Sequence, residues 1–328
     1  MRRRIIVFVG SPTRAGWMLA ALANLAACGG DDPLAWGVGV RTFDAHLLGV
    51  TPSTTTDPRL ASISDTSRLE LPTYDGSGQV VHPDVLLEAD RFVMAMTPYA
   101  YSDDRLENPS VVVGVDGMGF VDVGSNPIVD PPAHDHNNDP DIRIDPRTLD
   151  YELLYLETLR PERQSLVALR SRDLRSWVRH DRIVYDLTAS ATPFIVSPAA
   201  IDDAGITHLF YVNVSANRLE TLSSSDGETW DPSQAAALAI DLAGVNPWHV
   251  DVVRGGAGYA MLISGYREKF TEQDLFLATS SDLVSWTFHP EPLLDHTDPS
   301  LEVTTLYRST GVVSGGSLVV WYSMQYRE

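Results

Sequence analysis

Short apolar segments separated by turn-forming residues run along most of the chain. Five of these segments are rich in β-branched and aromatic residues: Phe92–Tyr99, Tyr151–Thr158, Thr207–Val214, Tyr259–Tyr266 and Leu318–Gln325. Strands bounded by turn residues, with almost nothing helical between them, are typical of all-β proteins. The pattern therefore predicts an all-β fold in which each of these segments is a buried strand.

A repeated turn signal follows the first four of these segments. It is an Asp with a large aromatic residue four positions later, and the pairs are Asp116/Phe120, Asp173/Trp177, Asp226/Trp230 and Asp282/Trp286. Successive aspartates are 57, 53 and 56 residues apart. An Asp favours a tight turn between two strands, and the aromatic residue can fill the gap to the next unit. The near-constant spacing indicates repeated supersecondary units.

The repeat ends with a fifth apolar segment but without a fifth turn. A ring of sheets would expose unpaired backbone groups if one blade stayed incomplete. We therefore expect a strand within Trp36–Leu48 to complete the last blade, and a truncated reading frame is the alternative. The resulting prediction is a single five-bladed β-propeller domain over residues 34–328.

The net charge limits the partners of this domain. The formal charge is −20 and the sequence pI is about 4.7. Nucleic acids bind basic surfaces, so nucleic-acid binding is excluded, and anionic membrane surfaces are disfavoured for the same reason. An uncharged carbohydrate meets no such repulsion. We therefore expect a carbohydrate partner, and we expect the protein to be a monomer.

The first 33 residues have the parts of a secretory leader. Arg2–Arg4 form a basic start, Trp17–Ala27 is almost entirely apolar, and Cys28, the single cysteine of the chain, follows. Leu-Ala-Ala-Cys resembles the lipobox of bacterial lipoproteins. This resemblance implies a signal peptide over residues 1–28, membrane anchoring through a lipidated Cys28, a tether over residues 29–33 and an extracytoplasmic location. The alternatives are an ordinary signal peptide cleaved nearby, or a cytosolic protein with an apolar N-terminus.

The candidate site lies on the first strand of each unit, because the innermost strands of a propeller line its central channel. Aligning these strands by their apolar pattern gives two sets of polar residues that could face the axis. One set is His82, Asp139, Ser197, His249 and Arg308. The other set is Asp84, Asp141 and Asp251. We expect one set to point into the channel and the other into blade packing or solvent, and the sequence leaves open which.

From about Val80 to Tyr322 the chain resembles the five-bladed propeller glycoside hydrolases of families 43, 62, 32, 68, 117 and 130. It looks most like a bacterial and phage-associated branch of that superfamily. The resemblance rests on six segments: His82–Val85, Glu107–Val111, Asn137–Ile142, Ser197–Ala199, Asn246–Val253 and Leu306–Thr310. It implies a glycosidase, and an inverting one, since these families are mostly inverting.

The resemblance also implies roles for individual residues. Asp84 matches the blade-one Asp that serves as base or nucleophile, and Asp139 or Asp141 matches the Asp that orients and tunes the site. The blade-three Glu that serves as acid has no match, because Ser197 stands in its place. Three other residues are candidates for the acid, and we place His249 slightly ahead of Glu107. The candidates are Glu107, Glu157 and His249, the last beside Asp251.

Each of these assignments has a structural alternative. Asp84 and Asp139 could cap backbone N–H groups, and His249 with Asp251 could form a structural hydrogen bond within a blade. Trp248 either stacks on a sugar or belongs to the core. Arg308 either neutralises the channel carboxylates or binds substrate. We include His82, Asp141, Glu157, Ser197, Trp248 and Arg308 as candidate substrate contacts.

A calcium-loop pattern begins at Asp135, but Pro140 and Pro146 stand where an EF-hand needs Gly and Glu, so an EF-hand is excluded. We predict no cofactor, and the resemblance leaves open a channel-bound calcium, which is known among these hydrolases. A second class of function also stays open. The missing acid favours a non-catalytic carbohydrate-binding surface propeller, and a structural surface or phage-derived adhesion module is a third reading.

Overall fold

The computed structural model describes residues 33–189 and 192–328. The predicted signal peptide with Cys28, and residues 29–32 of the predicted tether, lie outside the described residues. The described part is almost entirely β-structure, with one short helix, α1 (Pro58–Ala61), and three single-turn 3-10 helices (Ala100–Ser102, Asp104–Leu106 and Pro232–Gln234). Within these residues, no helix is long and apolar enough to span a membrane.

The strands form five antiparallel sheets, which are the blades of the propeller. In chain order they are β1 (Leu34–Asp44), β2 (Val80–Leu87), β3 (Phe92–Pro98), β4 (Ser110–Gly114), β5 (Val121–Asp122), β6 (His136–Ile144), β7 (Tyr151–Leu159), β8 (Arg163–Ser171), β9 (Val178–Asp186), β10 (Ile195–Asp203), β11 (Ile206–Asn213), β12 (Arg218–Ser224), β13 (Ala236–Ala237), β14 (Asn246–Arg254), β15 (Tyr259–Tyr266), β16 (Asp274–Ser280), β17 (Trp286–Leu294), β18 (Thr305–Ser314) and β19 (Ser317–Arg327). Blades one to four are β2–β5, β6–β9, β10–β13 and β14–β17, and blade five is β18, β19 and β1. The five-bladed β-propeller predicted from the sequence is confirmed.

Blade five closes the ring with the N-terminal strand, as the sequence predicts. β1 pairs antiparallel with β19 along its whole length, from Leu34 opposite Arg327 to Asp44 opposite Ser317. This pairing covers the edge of β19 that would otherwise expose a row of unpaired backbone groups. The blade has three strands instead of four, and the strand ends at Asp44, before the Leu48 boundary that the sequence suggests.

The repeated Asp turns connect the third and fourth strands of blades one to four. Asp226 shows the pattern: its Oδ1 accepts hydrogen bonds from the backbone N–H of Glu228 at 2.8 Å and Thr229 at 2.7 Å. The aspartates of the other three turns accept the same two backbone hydrogen bonds. Trp230, four residues after Asp226, is buried in the apolar layer between blades two and three. Local turn chemistry therefore sets the blade period.

Apolar residues fill the space between each blade and the next, and the inner strands contact one another in ring order. Five inner strands, β2, β6, β10, β14 and β18, thus surround one axis. This arrangement brings polar side chains that are far apart in sequence to a common channel.

Candidate functional site

Each inner strand is interrupted by a β-bulge at the same depth along the axis. The bulges include His82, Asp139, Ser197 and Arg308 in blades one, two, three and five, whereas in blade four the extra residue is Trp248, directly before His249. His82, Asp139 and Ser197 have backbone φ angles of 55°, 54° and 55°, a region that non-glycine residues rarely adopt. Each of these three precedes a proline. The bulge adds one residue to the strand and re-aims its side chain.

The two polar sets predicted from the sequence both face the channel, at two depths. Oxygen atoms of Asp84, Asp141 and Asp251 lie within 4.8 Å of one another, and Arg308 lies 3.8 Å from both Asp139 and Asp141, so both sets converge on the axis. The upper layer consists of His82, Asp139, Ser197, His249 and Arg308, and the lower layer is Asp84, Asp141, Ala199, Asp251 and Thr310. The expectation that only one set would face the channel is wrong for this reason.

The upper layer is the floor of a pocket of about 590 Å³. His82, Asp139 and His249 form this floor, and all three are buried. One wall is the segment 99–107 between β3 and β4, and further side chains come from the other blades. The whole lining is His82, Tyr99, Tyr101, Ser102, Asp103, Asp104, Glu107, His136, Asn138, Asp139, Arg160, Phe194, Val196, Trp248, His249 and Tyr307. The pocket is large enough for one or two sugar rings, since ligand pockets typically measure about 300–1,000 Å³.

Asp139 is the centre of the floor. Its Oδ1 lies 3.3 Å from His82 Nε2 and 3.3 Å from His249 Nδ1. Its Oδ2 accepts hydrogen bonds from the backbone N–H of Ser197 at 3.0 Å and from Asn138 Nδ2 at 2.9 Å. Asp139 Oδ1 has no well-directed hydrogen bond from the described residues. Oδ1 is itself buried and faces the two imidazole nitrogens, while the other oxygen is held in place.

The electrostatics of the floor leave Asp139 charged and the two imidazoles neutral. Burial by itself disfavours the carboxylate, but His82, His249 and the Arg308 guanidinium 3.8 Å away outweigh burial and hold the pKa of Asp139 well below its usual range. Burial lowers the pKa of His82 and of His249, so neither imidazole carries a charge at neutral pH. Arg308 therefore supplies the permanent positive charge next to Asp139.

Glu107 lies on the wall of the same pocket, and its pKa is shifted in the opposite direction from that of Asp139. It is 6% exposed, and burial raises its pKa to about 8 even though His136 acts in the other direction. His136 Nε2 lies 4.0 Å from Glu107 Oε2, and His136 Nδ1 lies 2.7 Å from Asp135 Oδ1. Burial disfavours the imidazolium, but Glu107 and Asp135 together raise the pKa of His136. Glu107 is therefore protonated at neutral pH.

The lower layer holds three aspartates that are 4–5% exposed. Asp84 Oδ1 accepts a hydrogen bond from Thr310 Oγ1 at 3.0 Å, and its Oδ2 accepts one from the backbone N–H of Ile142. Burial raises the pKa of Asp84 and raises the pKa of Asp251 to about 7. Burial also raises the pKa of Asp141 well above its usual range, and the Asp84 charge adds to burial at both Asp141 and Asp251. None of the three lines the pocket.

Three other predicted site residues also lie outside the pocket. Glu157, at the outer end of β7, pairs with Arg163 at 2.9 Å and Arg179 at 2.7 Å, so it is neither an acid nor a substrate contact in this site. Ser197 donates its hydroxyl to the backbone carbonyl of Val250 at 2.8 Å and is fully buried. The fully buried Arg308 separates the two layers of carboxylates, which is the neutralising role left open by the sequence.

Trp248 lines the pocket, but its ring belongs to an aromatic cluster. Its Nε1 donates to Tyr307 Oη at 3.0 Å, and its ring packs edge-on to Phe270 with centroids 4.7 Å apart. Tyr307, which sequence reasoning missed, contacts the His249 ring at a centroid distance of 4.2 Å. A signal for it exists: Tyr307 precedes Arg308 as Trp248 precedes His249, one residue before the axis-facing position.

Two groups in the channel have the composition of metal ligands. The donor atoms of His82, Asp139 and His249 lie within 4.8 Å of one another, and so do those of Asp84, Asp141 and Asp251. Calcium prefers oxygen ligands, whereas two imidazoles with one carboxylate suit transition metals. Of the two groups, the lower, all-oxygen group fits the calcium that the resemblance leaves open.

The fold is that of solved glycoside hydrolases. A thermostable family-43 glycoside hydrolase superposes with a TM-score of 0.55 at 13% identity, covering 76% of this chain and 88% of that chain. An exo-1,5-α-L-arabinanase from a bovine ruminal metagenomic library gives 0.52 at 14% identity, with 76% and 96% covered. An α-L-arabinofuranosidase from Podospora anserina, solved with cellotriose, gives 0.52 at 10% identity, with 77% and 93% covered. No family model and no curated protein sequence matches the chain. At these identities the similarity establishes the five-bladed propeller fold.

Proposed function

We propose that this protein is a glycoside hydrolase that cleaves a glycosidic bond of a neutral poly- or oligosaccharide in the central pocket. One observation carries the proposal: the same pocket presents an ionised carboxylate, Asp139, and a carboxyl kept protonated by burial, Glu107. Two carboxyl groups with pKa values pushed apart are the acid–base pair of glycoside hydrolysis. The fold shared with solved glycoside hydrolases supports the same class of reaction.

In the proposed reaction Glu107 protonates the oxygen of the leaving sugar while Asp139 accepts a proton from the attacking water. Ser197 and Asn138 hold Asp139 Oδ2, and Oδ1, which lies 3.3 Å from both His82 Nε2 and His249 Nδ1, is the oxygen that would accept the proton. His136, 4.0 Å from Glu107, stabilises the carboxylate that forms when Glu107 gives up its proton. Asp139 then releases its proton to solvent and Glu107 takes one up, which restores the starting state. This route inverts the anomeric centre, as the sequence predicts.

Two roles differ from those expected from the sequence. The base is Asp139 instead of Asp84, because Asp84 lies beneath the floor with both oxygens hydrogen-bonded. The acid is Glu107 instead of His249, because burial keeps the His249 imidazole neutral and a neutral imidazole is a poor proton donor. A calcium in the lower layer would be held by Asp84, Asp141 and Asp251, and it would supply positive charge beneath the floor without touching the substrate.

A non-catalytic carbohydrate-binding propeller is the second candidate. Ser197 favours it, because this residue stands where the acid of similar enzymes is expected and its hydroxyl is committed to the Val250 carbonyl. In that case the aromatic and polar lining would bind a glycan, and Glu107 would contribute only a hydrogen bond.

The experiment that separates the two candidates combines glycan-array binding with a hydrolysis screen. The substrates are arabinans, xylans, fructans and bacterial cell-wall polysaccharides, and the proteins are the wild type, Asp139→Asn, Glu107→Gln and the control Glu157→Gln. We expect wild type and Glu157→Gln to release sugar, and both pocket variants to bind glycan with turnover reduced at least about 100-fold. Binding by the wild type without release of sugar from any substrate would establish the second candidate. The anomer of the first product, read by NMR, tests inversion.

We also propose that Cys28 is lipidated and anchors the protein to an extracytoplasmic membrane surface. The support is the Leu-Ala-Ala-Cys segment and the position of β1, which begins at Leu34, directly after the proposed tether. Expression in a bacterium with a radiolabelled fatty acid tests this proposal. The wild type should carry label and sediment with membranes, whereas Cys28→Ala should do neither, and an unlabelled wild type would refute lipidation.

A further inference from the structure

Strand β1 begins on the same face of the propeller as the pocket. Trp36 pairs with Gln325 on β19, and Gln325 also pairs with Thr305, the first residue of the inner strand β18. Arg308, which belongs to the upper layer, follows further along β18, so the start of this strand stands above the pocket floor. The first residues of β1 therefore lie level with the walls of the pocket.

Side-chain contacts fix Trp36 to one of these walls. Its Nε1 donates to Ser102 Oγ at 2.9 Å, and its ring packs on those of Tyr99 and Tyr307 with centroid distances of 5.5 and 5.1 Å. Ser102, Tyr99 and Tyr307 all line the pocket. The backbone N–H of Trp36 donates to Gln79 Oε1, the same oxygen that holds the pocket rim. The start of β1 is therefore part of the structure that shapes the pocket.

The other end of β1 lies on the opposite face of the propeller. The strand runs for 11 residues to Asp44, which corresponds to about 33 Å of extended chain. The turn that follows carries Leu47, which is 85% exposed. The chain that precedes Leu34 thus joins the propeller on the pocket side, and the far side is one strand length away.

The proposed tether is too short to reach round the propeller. Residues 29–33 separate Cys28 from β1, and a fully extended chain of that length spans at most about 18 Å. A lipid on Cys28 would therefore hold the pocket side closer to the membrane than the far side. We propose that the anchored protein presents its pocket to the membrane and that its substrates are glycans carried by membrane lipids.

This orientation selects substrates by access. A glycan attached to a lipid extends from the membrane towards the pocket, whereas a large free polysaccharide is excluded from a gap of about 18 Å. The pocket of about 590 Å³ holds one or two sugar rings, which is the size of the end of such a glycan. The inference rests on the proposed lipidation of Cys28 and on the proposed hydrolysis, and the experiments separate the three.

Fluorescent labels on the two faces test the orientation. Cys28 is the single cysteine of the chain and its thiol is consumed by the lipid, so Tyr101→Cys on the pocket rim and Leu47→Cys on the far face each offer one labelling site. The lipidated variants are purified from membranes, labelled and reconstituted in phosphatidylcholine vesicles that contain a rhodamine-labelled lipid. Energy transfer to the lipid headgroups should be at least about twofold higher from position 101 than from position 47, because one strand length separates the two faces.

A lengthened tether is the matched control. Inserting about 20 Gly and Ser residues before Pro33 keeps the lipid but lets the domain turn freely, so the two labels should give similar transfer. Equal transfer with the short tether, or more from position 47, would overturn the proposal. An unlipidated Cys28 would overturn it as well, and fatty-acid labelling distinguishes that failure from a wrong orientation.

Hydrolysis by vesicle-bound protein tests the substrate class. On a long polysaccharide cleaved by soluble Cys28→Ala, the anchored wild type should be at least about tenfold slower, because the polymer does not enter the gap. Short oligosaccharides should be cleaved equally by both, and the lengthened tether should restore cleavage of the polymer. Equal rates on the polymer would refute selection by access. Absence of turnover by every form would refute the proposed hydrolysis and with it the substrate class, whereas the labels would still report the orientation.

Discussion

Replacing Glu107 with glutamine tests whether burial keeps this carboxyl protonated. Burial raises the pKa of Glu107 from 4.5 to about 8, so between these values the folded chain holds a proton that the unfolded chain has released. The free energy of unfolding must therefore fall as the pH rises from about 4.5 to about 8, and this group contributes no further change outside that window. Glutamine has nearly the shape of the protonated acid and cannot ionise.

The size of the effect follows from the same pKa values. At pH 7 the folded wild type keeps Glu107 protonated, whereas in the unfolded chain this carboxyl, with a pKa of 4.5, is ionised. The pH lies roughly 2.5 units above the unfolded pKa, so holding the proton costs on the order of 3 kcal/mol of folding free energy. Glu107→Gln avoids this cost. The variant should therefore be more stable than the wild type at pH 7 by up to that amount, and the difference should shrink towards pH 5. The residue proposed to supply the catalytic proton thus lowers the stability of the fold at pH 7.

Urea unfolding at pH 5, 6, 7 and 8 measures this difference. Glu157→Gln is the control of opposite sign, because removing its charge breaks the ion pairs with Arg163 and Arg179 and should lower stability. If Glu107→Gln were no more stable than the wild type at pH 7, or if the difference did not depend on pH, Glu107 would be ionised in the folded protein. It could then not serve as the acid.

Three further predictions concern the pocket and the turns. The turnover rate should fall roughly tenfold between pH 7 and pH 9, because Glu107 loses its proton near pH 8; a pH–rate profile measures this, and a flat profile contradicts it. Tyr101, 57% exposed on the pocket rim and fixed by a 3.0 Å hydrogen bond from its N–H to Gln79 Oε1, offers a ring for a second sugar. Tyr101→Ala should raise KM for oligosaccharides about fivefold with little change in kcat, whereas Tyr101→Phe should behave as wild type. If Tyr101→Ala had the same KM as the wild type, stacking of a sugar on this ring would be excluded. Asp226→Ala should lower the melting temperature because two backbone N–H groups lose their acceptor. The control Asp90→Ala, at an exposed position, should not lower it. If Asp226→Ala melted at the same temperature as the wild type, the turn would not need its aspartate.

The fold could be predicted because its signals are local. An Asp that accepts hydrogen bonds from the N–H groups two and three residues ahead fixes a turn regardless of the rest of the chain, as Asp226 does. The apolar strand before each turn can also be recognised from the sequence alone. The one non-local feature, pairing of β1 with β19, could be inferred because a ring with an open edge is costly.

The depth of each site residue could not be read from alternation alone. A strand without interruption would let the apolar pattern assign each side chain to a face, but every inner strand here carries a bulge. His82 and Asp139 lie at such bulges, each directly before a proline, and both have positive φ angles there. The position of Glu107 in the pocket was still harder to predict from the sequence. It reaches the pocket because its backbone carbonyl accepts from the N–H of Asn137 at 3.0 Å, a contact with the next blade that local sequence does not encode.

Asp139 and Asp141 show why residue type could not settle the chemistry. They are the same residue two positions apart on one strand, and both are buried on the channel axis. Two imidazoles and Arg308 lower the pKa of Asp139, whereas burial beside Asp84 raises the pKa of Asp141. A single step down the axis therefore separates a carboxylate that stays ionised from one that needs a proton or a cation of its own. In this propeller the chemical role of a carboxyl group depends on its depth in the channel, because depth determines which charges surround it.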